Sequence, residues 1–216
     1  KLFLYSSSIL IGTIVGVGVF GIPFSFVKAG FLTGLLFWAL LGILSLTINL
    51  IFGEVVLRTQ KIHQFIGYVK LYLGGTAKNF AAFAWFSGIY GALLAYIIVS
   101  GHFLFSIFIS WFYAEPFDLS IWFFVLAALA ALAGLRTIAW FEFVMFLFFS
   151  AAVMLIFIFG FPQIDLQNLT SVFNGRFWFL PYGVLLFAYA GFSAVPLQRE
   201  ILGAKTGILK KSILAG

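Results

Sequence analysis

Long apolar stretches separated by short polar clusters run through the whole chain. Charge-free runs cover residues 2–27, 29–53, 79–114, 119–135, 143–164 and 177–198. A helix that crosses a bilayer needs about 20 mostly apolar residues. We therefore predict six transmembrane helices, and their expected bounds are about 2–28, 31–56, 79–113, 119–136, 139–161 and 177–198. The third run is longer than the membrane is thick, so its helix should tilt or protrude.

Two polar segments interrupt these runs without forming a domain of their own. Segment 58–78 is basic, and it predicts a short amphipathic helix around Ile62–Leu73. Residues 161–176 form the main outer loop. The chain starts on Lys1 and ends at Gly216 as another apolar stretch begins, so we interpret it as the N-terminal part of a larger protein.

Composition supports a membrane protein. Of the 216 residues, 64% are hydrophobic and only 8% are charged, whereas a soluble domain is about a quarter charged. The chain has no Cys, which excludes a disulfide framework and thiolate metal sites. No cluster of His and acidic residues indicates a metal site either, and we expect no cofactor.

The net charge of +6 reflects membrane orientation rather than nucleic-acid binding. If the N-terminus is cytoplasmic, the outer segments hold only Lys28 and Arg176. The inner segments then hold ten basic residues: Lys1, Arg58, Lys61, Lys70, Lys78, Arg136, Arg199, Lys205, Lys210 and Lys211. This bias predicts a multi-pass protein of the plasma membrane (the inner membrane in a bacterium) with its N-terminus in the cytoplasm.

The stretch GVGVFG at 16–21 matches the dinucleotide-binding pattern G-x-G-x-x-G. That fingerprint needs a preceding strand, a following helix and an acidic residue about 20 positions on. Here the glycines lie inside an apolar span, and the next acid is Glu54. A helix-packing stripe is the second reading, but Gly16 and Gly18 cannot share one face because they are two residues apart. Together with Pro23, the glycines instead predict a broken helix at mid-membrane, which is typical of substrate sites in secondary transporters.

A similar cluster occurs in the sixth predicted span. GVFGIP at 18–23 and GFSAVP at 191–196 share the order G-x-x-small-aliphatic-P. The two copies are five spans apart, so their helices run in opposite directions through the bilayer. This is the relation expected of a five-plus-five inverted repeat.

IGTIVGVGVFGIPFSFVKAGF, starting at residue 11, and LLFAYAGFSAVPLQREI, starting at residue 185, resemble the first and sixth helices of amino acid/polyamine/organocation superfamily permeases. The similarity is greatest to the amino acid/auxin permease and bacterial aromatic amino acid (tryptophan/tyrosine) permease branches. It implies an all-α transmembrane LeuT-type fold. Residues 1–164 would then be the first five-helix repeat, and 165–216 would hold the outer loop, the sixth span and the start of the second repeat.

The two breaks suit a zwitterionic amino acid. Free amides at the start of the outer half-helix would hold the carboxylate, and free carbonyls would hold the ammonium group. The resemblance implies the same arrangement, with the Val17 and Gly18 amides and the Ile14 carbonyl as ligands, and Thr13 and Gly16 beside them. In the sixth span it implies the Phe187 and Ala188 carbonyls, with Tyr189, Ala190 and Gly191 at the break.

Further polar residues have two readings each. Glu54 is either half of an i,i+4 pair with Arg58 or part of a cytoplasmic gate. Tyr90 lines the pocket or serves only in packing. We expect Asn49 to hydrogen-bond a neighbouring helix.

The predicted function is a secondary active transporter, not an enzyme, for a neutral amino acid with an aromatic or bulky side chain. Coupling to H+ is expected from the resemblance, and Na+ stays open. The partners are the amino acid and the bilayer, with no nucleic acid, and the sequence leaves the oligomeric state undetermined. A non-transporting amino acid sensor on the same fold, similar to germinant receptors, is the alternative. A channel-like or scaffold protein ranks below both.

Overall fold

A computed structural model describes residues 2–16, 18–109, 115–132, 135–165, 169, 173–203 and 206–215, without the side chains of residues 4, 5, 135–146 and 206. Within these ranges the regular structure is entirely helical, as the apolar runs predict. The helices are α1 (Leu2–Ile14), α2 (Gly18–Ala29), α3 (Phe31–Arg58), α4 (Phe65–Phe108), α5 (Pro116–Leu132), α6 (Leu135–Gly160), α7 (Leu180–Ala188), α8 (Ala194–Leu202) and α9 (Leu209–Ala215).

Two of the described helices are long and apolar enough to cross a membrane. In the described part of the chain, α3 and α4 each suffice to cross a bilayer alone. A third crossing is formed if the segments Ser6–Ile14 and Gly18–Ala29, bent by 52°, are taken as one broken span. The count of six spans and the LeuT-type repeat stay predictions, as does the division of the chain at residue 164.

Helix α4 begins at Phe65, inside the segment Ile62–Leu73 where a short amphipathic helix is expected. Its first part covers residues 65–73 and ends at Gly74, whose φ of 87° and ψ of −175° are not helical. This backbone conformation is essentially restricted to glycine. Gly74 therefore separates the short helix from the long apolar helix over 75–108.

The chain divides into two compact units, residues 1–87 with 167–216, and residues 88–166. In the first unit, α1 packs against α8 and α9, α2 against α7, and α3 against all three of α7, α8 and α9. Its apolar core joins α1, α3, α8, α9 and the start of α4, through Leu10, Val56, Tyr68, Ala194, Val195, Leu202, Leu209 and Ile213.

The second unit contains the end of α4 with α5 and α6. Buried Gly101 of α4 lies so close to α5 that a Cβ atom there would stand 2.7 Å from the Pro116 carbonyl oxygen. Ser120 of α5 donates a hydrogen bond to the same carbonyl at 2.9 Å. A residue larger than glycine at 101 would force α4 and α5 apart.

Candidate functional site: two facing helix breaks

The first span is interrupted where its glycines predict. Helix α1 ends at Ile14 and α2 begins at Gly18. Between them the Gly16 amide donates to the Ile14 carbonyl at 2.9 Å, and the Gly16 carbonyl accepts from the Val19 amide at 3.1 Å. The Gly18 amide has no hydrogen-bond partner among the described residues. This helix start therefore offers a free donor, as an anion site requires.

The sixth predicted span is interrupted in the same manner. Helix α7 ends at Ala188 and α8 begins at Ala194. The Gly191 amide donates to the Tyr189 carbonyl at 2.7 Å, and the Gly191 carbonyl accepts from the Ala194 amide at 3.0 Å. Each of these two glycines, Gly16 and Gly191, therefore donates to the carbonyl two residues before it and accepts from the amide three residues after it. By its hydrogen bonds, Gly191 therefore corresponds to Gly16. The motif comparison of 18–23 with 191–196 aligns Gly191 with Gly18 instead, two residues further along the chain.

The two breaks lie directly against each other. A Cβ atom at Gly18 would stand 2.9 Å from the Ala188 Cα, and one at Gly191 would stand 2.7 Å from the Ile14 Cγ1. Gly21 faces Val184 in the same way, at 3.0 Å. Positions 14, 18 and 21 therefore match positions 191, 188 and 184, which is an antiparallel crossing of the two broken helices.

Tyr189 fixes the second break to α3. Its carbonyl accepts from the Ser45 hydroxyl at 3.0 Å as well as from Gly191, and its own hydroxyl donates to the Trp38 carbonyl at 3.3 Å. The Tyr189 carbonyl is thus fully occupied. The Ala188 carbonyl has no partner among the described residues, which leaves it available at this break.

The structure brings most of the predicted binding residues together. Thr13, Ile14, Gly16 and Gly18 lie at the first break, next to Phe187, Ala188, Tyr189, Ala190 and Gly191 at the second. The Thr13 hydroxyl is turned back to the Ile9 carbonyl at 2.8 Å, and the Phe187 carbonyl accepts from the Ala190 amide at 3.3 Å. Val17 lies outside the described residues. The ligand roles of all ten stay predictions.

Glu54 and Tyr90 do not join the breaks in the described geometry. Glu54 accepts a hydrogen bond from the Arg58 Nε at 2.7 Å, and both side chains are exposed. It also lines a cavity of about 250 Å³ near Lys210. Tyr90 belongs to the second unit and is 70% exposed. Their proposed pocket or gate roles stay predictions.

Sequence reasoning missed a larger cavity beside the second break. It measures about 550 Å³ and lies between α3, the break and Phe65 at the start of α4. Its walls are mostly apolar: Leu41, Leu44, Ser45, Ile48, Asn49, Ile51, Phe52, Val55, Phe65, Leu186, Tyr189, Ala190 and Phe192. The only sequence signal was the pair of polar residues, Ser45 and Asn49, in the middle of an apolar helix.

The hydrogen bond expected from Asn49 to a neighbouring helix is not found among the described residues, and it stays a prediction. Asn49 is 4% exposed, lines this cavity, and forms no hydrogen bond with any described residue. The hydrogen bond from α3 to the neighbouring broken span comes instead from Ser45.

Apolar helices and a pair of interrupted helices packed break to break define an integral membrane protein of the transporter class. The chain belongs to the tryptophan/tyrosine permease family, whose model matches residues 1–216. This membership makes the protein an amino acid permease and not an enzyme. No curated protein and no solved structure matches the chain.

Proposed function

We propose that the protein is a secondary active transporter that moves a neutral amino acid with an aromatic or bulky side chain across the plasma membrane by alternating access. The observation that carries this proposal is the direct packing of two similar helix breaks, Gly18 against Ala188 and Gly191 against Ile14. Tryptophan and tyrosine, which name the family, are the first substrates to test.

A zwitterion matches the backbone groups at these breaks. The Gly18 amide, which has no hydrogen-bond partner among the described residues, lies at the positive N-terminal end of α2, and this end favours a carboxylate. The Ala188 carbonyl, at the negative end of α7, favours an ammonium group. Both groups belong to the backbone, so their positions depend on the breaks rather than on particular side chains.

The absence of charge supports a neutral substrate. No residue over 9–23 or 184–198 is charged. A charged side chain of a substrate would have no counter-ion in these segments, and a buried unpaired charge is costly. A neutral side chain carries no such penalty.

The packing also suggests how access could alternate. The half-helices α2 and α7 pack together on one side of the breaks, and α1 packs with α8 on the other. Interrupted helices can change angle at the break without unfolding either half. H+ coupling belongs to the proposal because the permeases that the chain resembles include many proton symporters, and Na+ is the alternative to test.

The experiment is uptake of labelled tryptophan by proteoliposomes of the purified full-length protein, under an imposed pH gradient or sodium gradient. Gly18→Leu should abolish uptake because its side chain would enter the Ala188 backbone, while Gly12→Leu, where a Cβ atom meets nothing within 4 Å, is the matched control. Normal uptake by Gly18→Leu would overturn the site. Binding of tryptophan without accumulation would replace the transporter with a non-transporting sensor.

A further inference from the structure

The cavity between α3 and the second break adjoins the proposed backbone site. Tyr189 and Ala190 belong to the break and also line the cavity. We propose, resting on the function proposed above, that this cavity receives the aromatic side chain of the transported amino acid and that Asn49 recognises its ring N–H or O–H group.

The size of the cavity fits such an occupant. Its volume of about 550 Å³ lies inside the range of roughly 300–1,000 Å³ that is typical of small-molecule pockets. An amino acid held by its carboxylate and ammonium group at the break would place its side chain next to Ala190. Ala190 has a small side chain, which would leave room for this placement.

The walls suit an aromatic ring. Phe192 and Phe65 line the cavity, their ring centroids 5.1 Å apart. The Trp85 ring, which does not line the cavity, packs against both, at 5.4 Å from each centroid. Phe52 extends the same wall, 5.8 Å from Phe65. Such edge-on and tilted arrangements are the ones that aromatic pairs favour, and another ring can join them.

Asn49 supplies one polar contact in this apolar space. Asn49 is 4% exposed as a residue, lines the cavity and forms no hydrogen bond with any described residue. A ligand that fills this apolar space would shield the Asn49 amide from solvent, so a ligand with one matching polar group would be favoured over one without it. The indole N–H and the phenol O–H are donors of this kind, and the Asn49 carbonyl oxygen is an acceptor. Phenylalanine has the ring but not the donor.

This chemistry predicts a specific order of substrates. A site built to hydrogen-bond a substrate O–H or N–H rejects the analogue that lacks it, because the buried polar group is then left unpaired. The wild-type protein should therefore take up tyrosine and tryptophan in preference to phenylalanine.

The first test removes the polar contact. In the full-length protein in proteoliposomes, Asn49→Leu should reduce the preference for tyrosine over phenylalanine at least tenfold, measured by competition with labelled tryptophan. Thr47→Val is the matched control, since Thr47 lies on the same helix, is exposed and does not line the cavity. An unchanged preference in Asn49→Leu, or no preference in the wild type, would overturn the role of Asn49.

The second test fills the cavity and does not depend on the first variant folding. Ile48→Trp places a large ring at a cavity wall, while Ile43→Trp, on α3 but outside the cavity, is its control. Ile48→Trp should lose tryptophan uptake by tenfold or more and keep more of its uptake of leucine or valine, whose bulky side chains are smaller than an indole ring. Equal loss of all amino acids, or full retention of tryptophan, would refute the subsite. Failure of the wild type to transport any amino acid would instead refute the proposed function.

Discussion

At the scale of single residues, the glycines of this chain serve two separate purposes. Gly18 and Gly191 permit close approach of two broken helices, since any Cβ atom there would meet atoms of the opposite break at under 3 Å. Gly74 has open space around it and is required for its positive φ. Gly12 meets neither condition. The same residue type therefore predicts different consequences at each position.

Alanine substitutions should separate these cases. Gly18→Ala should destabilise the protein by about 1–3 kcal/mol, the usual cost of overpacking, because its Cβ atom would press on the Ala188 backbone at 2.9 Å. Gly191→Ala should cost less, because it meets the side chains of Ile14 and Leu10, which can shift. Thermal unfolding of the purified variants in detergent would rank their losses of stability.

Gly12→Ala is the control for this series. No atom lies within 4 Å of its Cβ position, and alanine favours a helix over glycine by up to about 1 kcal/mol. Gly12→Ala should therefore be neutral or stabilising. If Gly12→Ala lost as much stability as Gly18→Ala, the destabilisation at Gly18 could not be attributed to the close approach of the two breaks.

At the scale of elements, a buried polar cluster joins three helices of the first unit. The Gln198 Nε2 of α8 donates to the Ser6 carbonyl of α1 at 2.8 Å, and the Ser6 hydroxyl donates to the Ser212 hydroxyl of α9 at 2.9 Å. These three residues have no exposed surface, and the Gln198 Oε1 has no partner within the described part of the chain. The cluster links α1 and α8 on the same side of the breaks.

Substitutions at Gln198 test how strictly this cluster excludes charge. Gln198→Met keeps the volume, removes one hydrogen bond worth about 1 kcal/mol and also removes the unpaired oxygen. Gln198→Glu puts a carboxyl group into a buried cluster whose described hydrogen-bond partners, Ser6 and Ser212, are neutral, so it should be clearly less stable than Gln198→Met at neutral pH. The melting temperatures of the two variants in detergent, measured at neutral pH, compare their stabilities. Equal stability would mean that the cluster admits a charge or water.

The turn inside α4 gives a second prediction at this scale. Gly74 and Gly75 both have open space at the Cβ position, and only Gly74 has a positive φ. Gly74→Ala should cost about 1–3 kcal/mol through backbone strain, while Gly75→Ala should be neutral or slightly stabilising. Limited proteolysis of the segment over 58–78 should speed up only in Gly74→Ala, and similar behaviour of both variants would contradict the strained turn.

The sequence predicted these elements unevenly, for physical reasons. The break at 14–18 was predictable because glycines and a proline inside an apolar run oppose a continuous helix. The contact between Gly191 and Ile14 could not be predicted from the sequence, since contacts between distant segments depend on the packing of whole helices. The cavity beside Asn49 was missed for the same reason. A lone amide in an apolar span indicates hydrogen bonding, but whether its partner is a helix or a ligand depends on what the fold places opposite it.

At the scale of the whole molecule, the breaks acquire a direction only through membrane orientation. With the N-terminus in the cytoplasm, α1 and α8 form the inner side of the site, and α2 and α7 form the outer side. The distribution of basic residues predicts this orientation, ten being on the predicted inner side and two on the outer side. The two outer ones, Lys28 and Arg176, both lie near the Phe177 ring, at 5.9 and 5.4 Å from its centroid. They therefore mark one end of the first unit.

Cysteine labelling can test this orientation, because the 216 residues contain no Cys. Single substitutions Lys61→Cys and Lys210→Cys mark the predicted inner side, and Arg176→Cys and Asp118→Cys mark the outer side. In intact cells a membrane-impermeant maleimide should label only the last two, and after permeabilisation it should label all four. An inverted labelling pattern would place α1 and α8 on the outer side of the membrane and α2 and α7 on the inner side. The contacts between the two breaks would be unchanged, but each half-helix would face the opposite side of the membrane.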